Sequence, residues 1–134
     1  MSTKTPTEFD EQKELVSWFD KTYRQYKARL FCIPNGTHLA GGLKQRAIQA
    51  SRLKHQGQRN GVPDLMLPIP AGGYHGLFIE MKRVKGSEVS PQQKRWQGWL
   101  NDAGYMSVIC YGAEQAKEVI KCYLGSTTPT MQSG

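Results

Sequence analysis

Two short apolar runs separated by a Pro- and Gly-rich connection constrain the fold of this chain more than any other feature. The runs are DLML at residues 64–67 and LFIEMKRV at residues 77–84, joined by PIPAGGYHG. Apolar runs of this length, bounded by turn-forming residues, are typical of β-strands, and the short connection predicts an antiparallel hairpin. The chain is therefore expected to contain a sheet with this hairpin in it.

Three charged residues lie within these strand-like runs. Asp64 begins the first run, while Glu80 and Lys82 share one face of the second, because side chains alternate across a strand. In an antiparallel pair the carboxylate of Asp64 can lie beside that of Glu80. Two adjacent carboxylates repel each other unless a cation lies between them or one is protonated. The pattern predicts a site for Mg²⁺, with Lys82 placed to orient a water or to offset phosphate charge.

A second interpretation needs no cation. An isolated Glu-x-Lys is common by chance, so Glu80 and Lys82 could form a solvent-facing pair, with Asp64 as a turn residue. The hairpin spacing and the charge distribution along the rest of the chain favour the metal site.

The remaining pattern predicts an α/β sandwich around a mixed sheet. Thr7 can cap a first helix that runs to about Lys27, and Ser90 followed by Pro91 is typical of another helix start, with its end near Gly104. Further segments are predicted as a short buried strand at 30–33, a helix at 39–55, a strand at 106–110 and a helix at 113–124. The order is helix, strand, helix, strand, strand, helix, strand, helix.

Length and composition predict one soluble domain. With 134 residues, of which 38% are hydrophobic, the chain can bury one core, expected within residues 1–124. The three cysteines lack the spacing of a disulfide framework or zinc site and are predicted to be small buried residues. No signal peptide or membrane-spanning run is found, which predicts a cytoplasmic protein, and residues 125–134 are expected to be a disordered tail.

The positive charge of the chain is concentrated in one segment. The net charge is +7, and no Asp or Glu occurs between Asp20 and Asp64, a stretch that holds nine basic residues. Such a segment favours a polyanion such as nucleic acid, although a solvated basic helix face is the alternative. The residues expected to contact phosphates are Lys44, Arg46, Arg52, Lys54 and Arg59.

Four motifs in order carry a resemblance to a known family. They are GVPDL, GLFIEMKR, SPQQKRWQGWL and GYMSVICYG, with EQKELVSW resembling the family's first helix and IPNG the end of its first strand. The chain resembles the virus-type replication-repair nuclease (VRR-NUC) family of the PD-(D/E)XK superfamily from about Glu8 to Leu124, as a stand-alone, phage-like member. The resemblance implies a restriction-endonuclease-like core, a mixed central β-sheet flanked by α-helices, and Mg²⁺ or Mn²⁺ as cofactor.

The resemblance also implies roles for residues of the hairpin. Asp64 and Glu80 match the metal-binding acids, the backbone carbonyl of Met81 is a further metal ligand, and Lys82 positions the attacking water or stabilises charge.

Two helices supply further implied site residues. Gln93 matches the family's helix glutamine, which would hydrogen bond near the metal, although a capping box with Ser90 explains it equally. Glu11 matches the acid of the first helix that can complete the catalytic and metal site. Glu14 is the alternative, and a solvated helix face explains either residue.

Other residues are assigned less directly. Asn35 matches the PNG turn and is implied to contact nucleic acid, but ordinary turn chemistry also explains it. His38 stands where the family has a glycine followed by a basic residue, a departure that weakens any DNA contact at this turn. Helical spacing predicts that Trp18 and Trp96 pack in the core, whereas Trp99 is a candidate for a subunit interface.

Together these observations predict a metal-dependent DNA endonuclease that acts as a homodimer on branched DNA, such as four-way (Holliday) junctions. Three alternatives remain open at this stage. They are a non-catalytic nucleic-acid-binding accessory protein on a nuclease scaffold, a flap nuclease, and a restriction-type nuclease.

Overall fold

A computed structural model describes residues 4–34 and 39–125 of the chain. Within these ranges the chain forms four α-helices, one 3₁₀ turn and four β-strands, in the predicted order. They are α1 (Glu8–Thr22), the 3₁₀ turn (Arg24–Tyr26), β1 (Phe31–Cys32), α2 (Leu43–His55), β2 (Leu65–Leu67), β3 (Leu77–Lys82), α3 (Pro91–Asp102), β4 (Met106–Tyr111) and α4 (Ala113–Gly125). The predictions for Asn35, His38 and residues 126–134 lie outside the described residues.

The sheet is mixed, as expected, with the strand order β1-β2-β3-β4. The strands β1 and β2 pair antiparallel, as do β2 and β3, whereas β3 and β4 run parallel. Leu65 faces Ile79 and Leu67 faces Leu77, which confirms the predicted hairpin register. A parallel pair needs a crossover connection, and the segment containing α3 provides it.

The core lies on one face of the sheet, beneath α1 and α4. Leu15 and Phe19 of α1 pack in one cluster with Ile120 of α4 and with strand residues such as Ile79 and Met81. These five side chains are fully buried, and their spacing on the helices is that of an amphipathic face. The odd-numbered residues of β3 therefore anchor the two helices to the sheet.

The opposite face of β3 is buried as well. All six residues of this strand are buried, and Glu80 and Lys82 retain only 4% and 7% of their accessible surface. The interpretation of these two residues as a solvent-facing pair is therefore wrong. A charged pair at this depth requires partners, because desolvation of an uncompensated charge is costly.

The first helix is shorter than predicted. It ends at Thr22 rather than near Lys27, since Tyr23 leaves the helical conformation and the chain continues as the 3₁₀ turn. The carboxylate of Asp20 accepts a hydrogen bond from the Ala28 N–H at 3.0 Å, at a backbone with φ of 72°. This side-chain contact, between residues eight positions apart, closes the turn. Helical periodicity in the sequence does not predict it.

Three other boundaries and burials differ from expectation. The first strand is present as predicted but pairs over two residues only, and the predicted burial is wrong for both of them, since within 30–33 only Leu30 is buried. The second helix begins at Leu43, because Gly41 has φ of +92° and Gly42 is the N-cap. The fourth helix extends to Gly125, which had been assigned to the tail.

The tryptophans and cysteines are placed as follows. Trp18 packs against the core cluster as predicted, but Trp96 lies half-buried outside that cluster, in edge-to-face contact with Trp99 at 5.2 Å between ring centroids. All three cysteines are free thiols. Only Cys110 is buried, so the prediction of burial is wrong for Cys32 and Cys122.

None of the helices within the described residues is long and apolar enough to cross a membrane.

The α1 face assignment can be tested with two phenylalanines of one helix. Phe19 is fully buried, whereas Phe9 is 71% exposed. We expect Phe19→Ala to lower the free energy of unfolding by about 3–5 kcal/mol, because it removes buried apolar surface and leaves a cavity. Urea denaturation measures this, with Phe9→Ala as the matched control expected to change it little. Equal losses from both variants would contradict the packing described.

Candidate active site

The β2–β3 register places Asp64 opposite Glu80. Asp64 directly precedes β2, after the fully buried Pro63, and its Oδ2 accepts a hydrogen bond from the Met81 backbone N–H at 2.7 Å. This bond crosses from one strand of the hairpin to the other, so it fixes the orientation of the Asp64 carboxylate. The expected proximity of the two acids is confirmed by this geometry.

Glu80 is held from the α3 side by Gln93. The Gln93 Nε2 donates a hydrogen bond to the Glu80 Oε2 at 2.9 Å. The same glutamine completes a capping box, since its Oε1 accepts from the Ser90 N–H and its own N–H donates to the Ser90 Oγ. The capping box is thus confirmed, the same side chain also contacts the acid, and a role of Gln93 near a metal stays a prediction.

Lys82 lies next to this pair at the end of β3. Its Nζ is 3.9 Å from the Glu80 Oε2, and both side chains are more than nine-tenths buried. At this distance the contact is an ion pair rather than a direct hydrogen bond. The ammonium group is therefore near the carboxylates without being tied to either of them.

Burial and mutual repulsion perturb the titration of both acids. Burial, followed by the charge of Asp64, raises the pKa of Glu80 to about 8, and the charge of Lys82 only partly opposes this shift. Burial also raises the pKa of Asp64, against the hydrogen bond from Met81 and the charge of Lys82. Both shifts favour a proton shared by the metal-free pair, which a cation would displace.

The acids of α1 have different surroundings from those predicted. The Glu11 Oε1 accepts a hydrogen bond from the Ala113 N–H at 2.9 Å, so this buried carboxylate lies at the N-terminus of α4, where the helix dipole favours an anion. Glu14 forms an ion pair with Lys117 at 2.7 Å. Each of the two predicted candidates therefore has a structural partner, and the metal-binding role of Glu11 stays a prediction.

The sequence interpretation missed Glu8. The negative charge of this residue makes the smallest contribution to the raised pKa of Glu80, after burial, the charge of Asp64 and the hydrogen bond with Asp64. Glu8 is exposed and lies three residues before Glu11, on the same side of α1. The three-residue spacing could have indicated Glu8 from the sequence, because a helix that directs Glu11 toward the sheet also directs Glu8 to that side.

The metal-ligating groups form a minimal set. Among residues 4–34 and 39–125, no group of three or more His, Cys, Asp and Glu side chains is arranged to hold a metal ion. Asp64 and Glu80 nevertheless provide adjacent carboxylate oxygens, with a raised pKa that reflects an uncompensated pair. Mg²⁺ is commonly bound by one or two carboxylates together with water and substrate phosphate, so the donor set fits a hard divalent cation.

The predicted phosphate-contacting residues lie on an exposed helix and on the loop that follows it. The helix α2 has no buried residue and carries Lys44, Arg46, Arg52 and Lys54, all of them exposed. Arg59 follows, and its Nη1 donates a hydrogen bond to the Lys54 carbonyl at 2.9 Å. We call these five residues the basic segment, and its loop leads within a few residues to Asp64.

Comparison with known proteins decides the family. The model of the VRR-NUC domain matches residues 4–114, which include every site residue discussed above. The chain belongs to the VRR-NUC family. A solved structure described as a VRR_NUC domain protein is similar to it, with 28% sequence identity, a TM-score of 0.75, and coverage of 92% of this chain and 93% of that chain. No curated protein matches the sequence. The mixed sheet flanked by helices is thus the α/β fold of a nuclease-type family, as expected.

The shared proton on the acid pair gives a testable pH dependence of stability. Glu80 binds its proton more tightly in the folded state, where its pKa is about 8 rather than 4.5. Its contribution to stability is fully present below about pH 4.5 and is lost as the pH rises through about 8. We expect the Tm of the wild type in EDTA to fall over this range, and Glu80→Gln to flatten the profile and to melt higher above pH 8.

Thermal melts in EDTA across this pH range measure the effect. The control is Glu118→Gln, which changes an exposed glutamate paired with Lys121 on α4. A wild-type profile with the same slope as Glu80→Gln would show that the pair carries no shared proton.

Proposed function

We propose that this VRR-NUC protein is a metal-dependent endodeoxyribonuclease that hydrolyses phosphodiester bonds in DNA. The observation that carries the proposal is the pairing of half-buried Asp64 with buried Glu80, beside the buried ammonium of Lys82. A protein of this size gains no stability from desolvating two like charges, so the pair is better explained by a ligand that needs them.

The residues divide the chemistry between them. Asp64 and Glu80, with the Met81 carbonyl, would hold Mg²⁺ or Mn²⁺, an ion that polarises a phosphate and lowers the pKa of water. Gln93 holds the Glu80 carboxylate in place through its 2.9 Å hydrogen bond. The Lys82 ammonium, near the pair but not hydrogen bonded to it, orients the water or offsets the negative charge that develops on the phosphate.

The acids of α1 would then have distinct roles. Glu8 adds negative charge close to Glu80 and is exposed, so it is the α1 residue best placed to reach the ion or its waters. Glu11 supports the site indirectly, since its carboxylate caps α4 and ties that helix to α1.

The basic segment would bind the DNA backbone. Its five cationic side chains are exposed, and α2 buries none of its residues within the described structure, so these side chains are accessible to phosphates. Such contacts position DNA without reading its sequence. The loop that follows α2 leads to Asp64, which would bring a bound backbone toward the acid pair.

We further propose a homodimer that acts on four-way or otherwise branched DNA. Two-fold symmetry suits an enzyme that cuts two symmetry-related strands. Supporting this, α2 exposes Leu43 and Ile48, which are 79% and 44% accessible and which a second copy would cover. A flap-type or restriction-type nuclease would use the same catalytic residues. The DNA substrate that is cut distinguishes these alternatives from a resolvase.

The alternative of a non-catalytic accessory protein is disfavoured by one observation. Two adjacent carboxylates would repel a phosphate backbone, and a bound cation or proton removes that cost. A protein that merely binds DNA through its basic segment has no physical need for them.

Cleavage assays test the proposal directly. Labelled four-way junction, flap, single-stranded and duplex DNA would be incubated with the protein in Mg²⁺, Mn²⁺ or EDTA. We expect metal-dependent cleavage that Lys82→Met reduces by about 100-fold or more, because the variant keeps the alkyl stem and loses the charge near the phosphate.

Lys121→Met is the matched control, since it removes a surface ammonium of α4 and should leave cleavage unchanged. Paired cuts in the junction support the resolvase, whereas metal-dependent cleavage confined to another substrate retains the nuclease and rejects the resolvase. Tight binding by the wild type with no cleavage of any substrate would contradict the nuclease and favour the accessory protein.

The role of the basic segment predicts a change in salt dependence. Each phosphate contact contributes about −0.9 to the slope of log K against log salt concentration on duplex DNA. We therefore expect Arg46→Gln and Arg52→Gln together to make the slope shallower by about 2 and to weaken binding equally on unrelated sequences. Fluorescence anisotropy across a salt series in EDTA measures both effects, and an unchanged slope would contradict phosphate contact by α2.

A further inference from the structure

A cleft of about 280 Å³ lies on the outer side of α3, and its walls differ from those of an ordinary apolar groove. It is lined by Arg59, Asn60, Gln92, Arg95, Trp96 and Trp99. Arg59 and Asn60 come from the loop after α2. The other four residues come from α3, where they are spaced along one side of the helix. No acidic side chain lines the cleft.

The cleft is built between the two segments that deliver active-site residues. On one side, α3 carries Gln93, which hydrogen bonds Glu80, directly after the cleft residue Gln92. On the other side, Asn60 precedes Asp64 by four residues. These walls are packed closely, because a Cβ on Gly61, at φ of +89°, would lie 2.6 Å from the backbone of Gln92. A ligand in the cleft would therefore contact the two segments that also carry Asp64 and Gln93.

The lining has the chemistry of a nucleotide site. Trp99 leaves 54% of its surface exposed, and its ring meets that of Trp96 edge-on, which leaves indole faces available for stacking. The guanidinium groups of Arg59 and Arg95 are exposed and can pair with phosphate. Only an unstacked base can stack on an aromatic side chain. A base inside a duplex exposes only its edges in the grooves.

We propose that this cleft, the Trp99 cleft, binds an unpaired nucleotide of the DNA substrate, with the base on the indole of Trp99 and the phosphates at Arg59 and Arg95. The inference rests on the proposed nuclease function and narrows its substrate to DNA that contains unstacked nucleotides, as at a branch or flap. A nucleic acid is favoured over a protein partner, because two exposed guanidinium groups flank the indoles and can pair with phosphate.

Binding without chemistry tests the inference. In EDTA, the affinity of labelled oligothymidylate and of a blunt duplex is measured for the wild type, Trp99→Ala and Trp99→Phe. Because base–aromatic stacking contributes about 1–3 kcal/mol per base, we expect Trp99→Ala to weaken oligothymidylate binding by about 10-fold and Trp99→Phe to restore most of it. Duplex affinity should change by less than about two-fold, since phosphate contacts dominate there.

Two controls separate stacking from general effects. Tyr74→Ala removes an exposed aromatic ring, which contacts Tyr123 of α4, and should leave oligothymidylate binding unchanged. Arg95→Gln should make the salt slope on single strands shallower by about 0.7, the value for one phosphate contact, and Lys121→Gln on α4 should not. Melting temperatures confirm that each variant remains folded.

Several outcomes would overturn the inference. One is an unchanged oligothymidylate affinity of Trp99→Ala, and another is an equal loss of duplex affinity in that variant. A third is failure of Trp99→Phe to restore oligothymidylate binding. A fourth is a change in the oligomeric mass of Trp99→Ala, measured by light scattering, which would make this face a subunit interface. Metal-dependent cleavage of duplex without oligothymidylate binding refutes the cleft and retains the nuclease. Trp99-dependent binding without cleavage of any DNA supports the cleft and refutes the nuclease.

Discussion

The antiparallel register of β2 and β3 is the constraint on which the rest of the structure depends. It sets Leu65 against Ile79, and one step further it sets Asp64 against Glu80. Because the side-chain period of a strand is two, a slip of one residue would move Glu80 into the apolar core and Ile79 toward the polar site. The Met81 N–H to Asp64 bond at 2.7 Å holds this register at the end of the hairpin where the acids lie. Correct strand pairing and assembly of the site are thus one event.

The strand β3 separates two environments of opposite character. Its odd-numbered residues join the core beneath α1 and α4, where burial of apolar surface stabilises the fold. Its even-numbered residues include Glu80 and Lys82, whose desolvation destabilises it and raises the pKa of Glu80 to about 8. Strained electrostatics on one face are therefore offset by packing on the other, an arrangement typical of functional sites.

The sequence predicts the structural features that depend on local patterns, but it does not predict contacts between residues that are far apart in the chain. The hairpin, the order of elements and the pairing of Asp64 with Glu80 follow from period and turn chemistry. The hydrogen bond from Ala113 to Glu11 joins residues 102 positions apart, and no local rule anticipates it. The early end of α1 has the same cause, since the side chain of Asp20 closes a turn eight residues away.

The contacts that organise the acid pair are local, whereas those that enclose the core are not. The hydrogen bond between Asp64 and Met81 joins residues 17 positions apart, and that between Glu80 and Gln93 joins residues 13 positions apart. The hydrogen bond between α1 and α4 joins residues 102 positions apart. Loop closure is entropically cheaper for the nearer partners, so the hairpin and α3 can assemble before the terminal helices dock. The geometry of the acid pair would then exist early in folding, in an unstable fragment with an exposed apolar face. Docking of the two ends of the chain would convert that fragment into a stable domain.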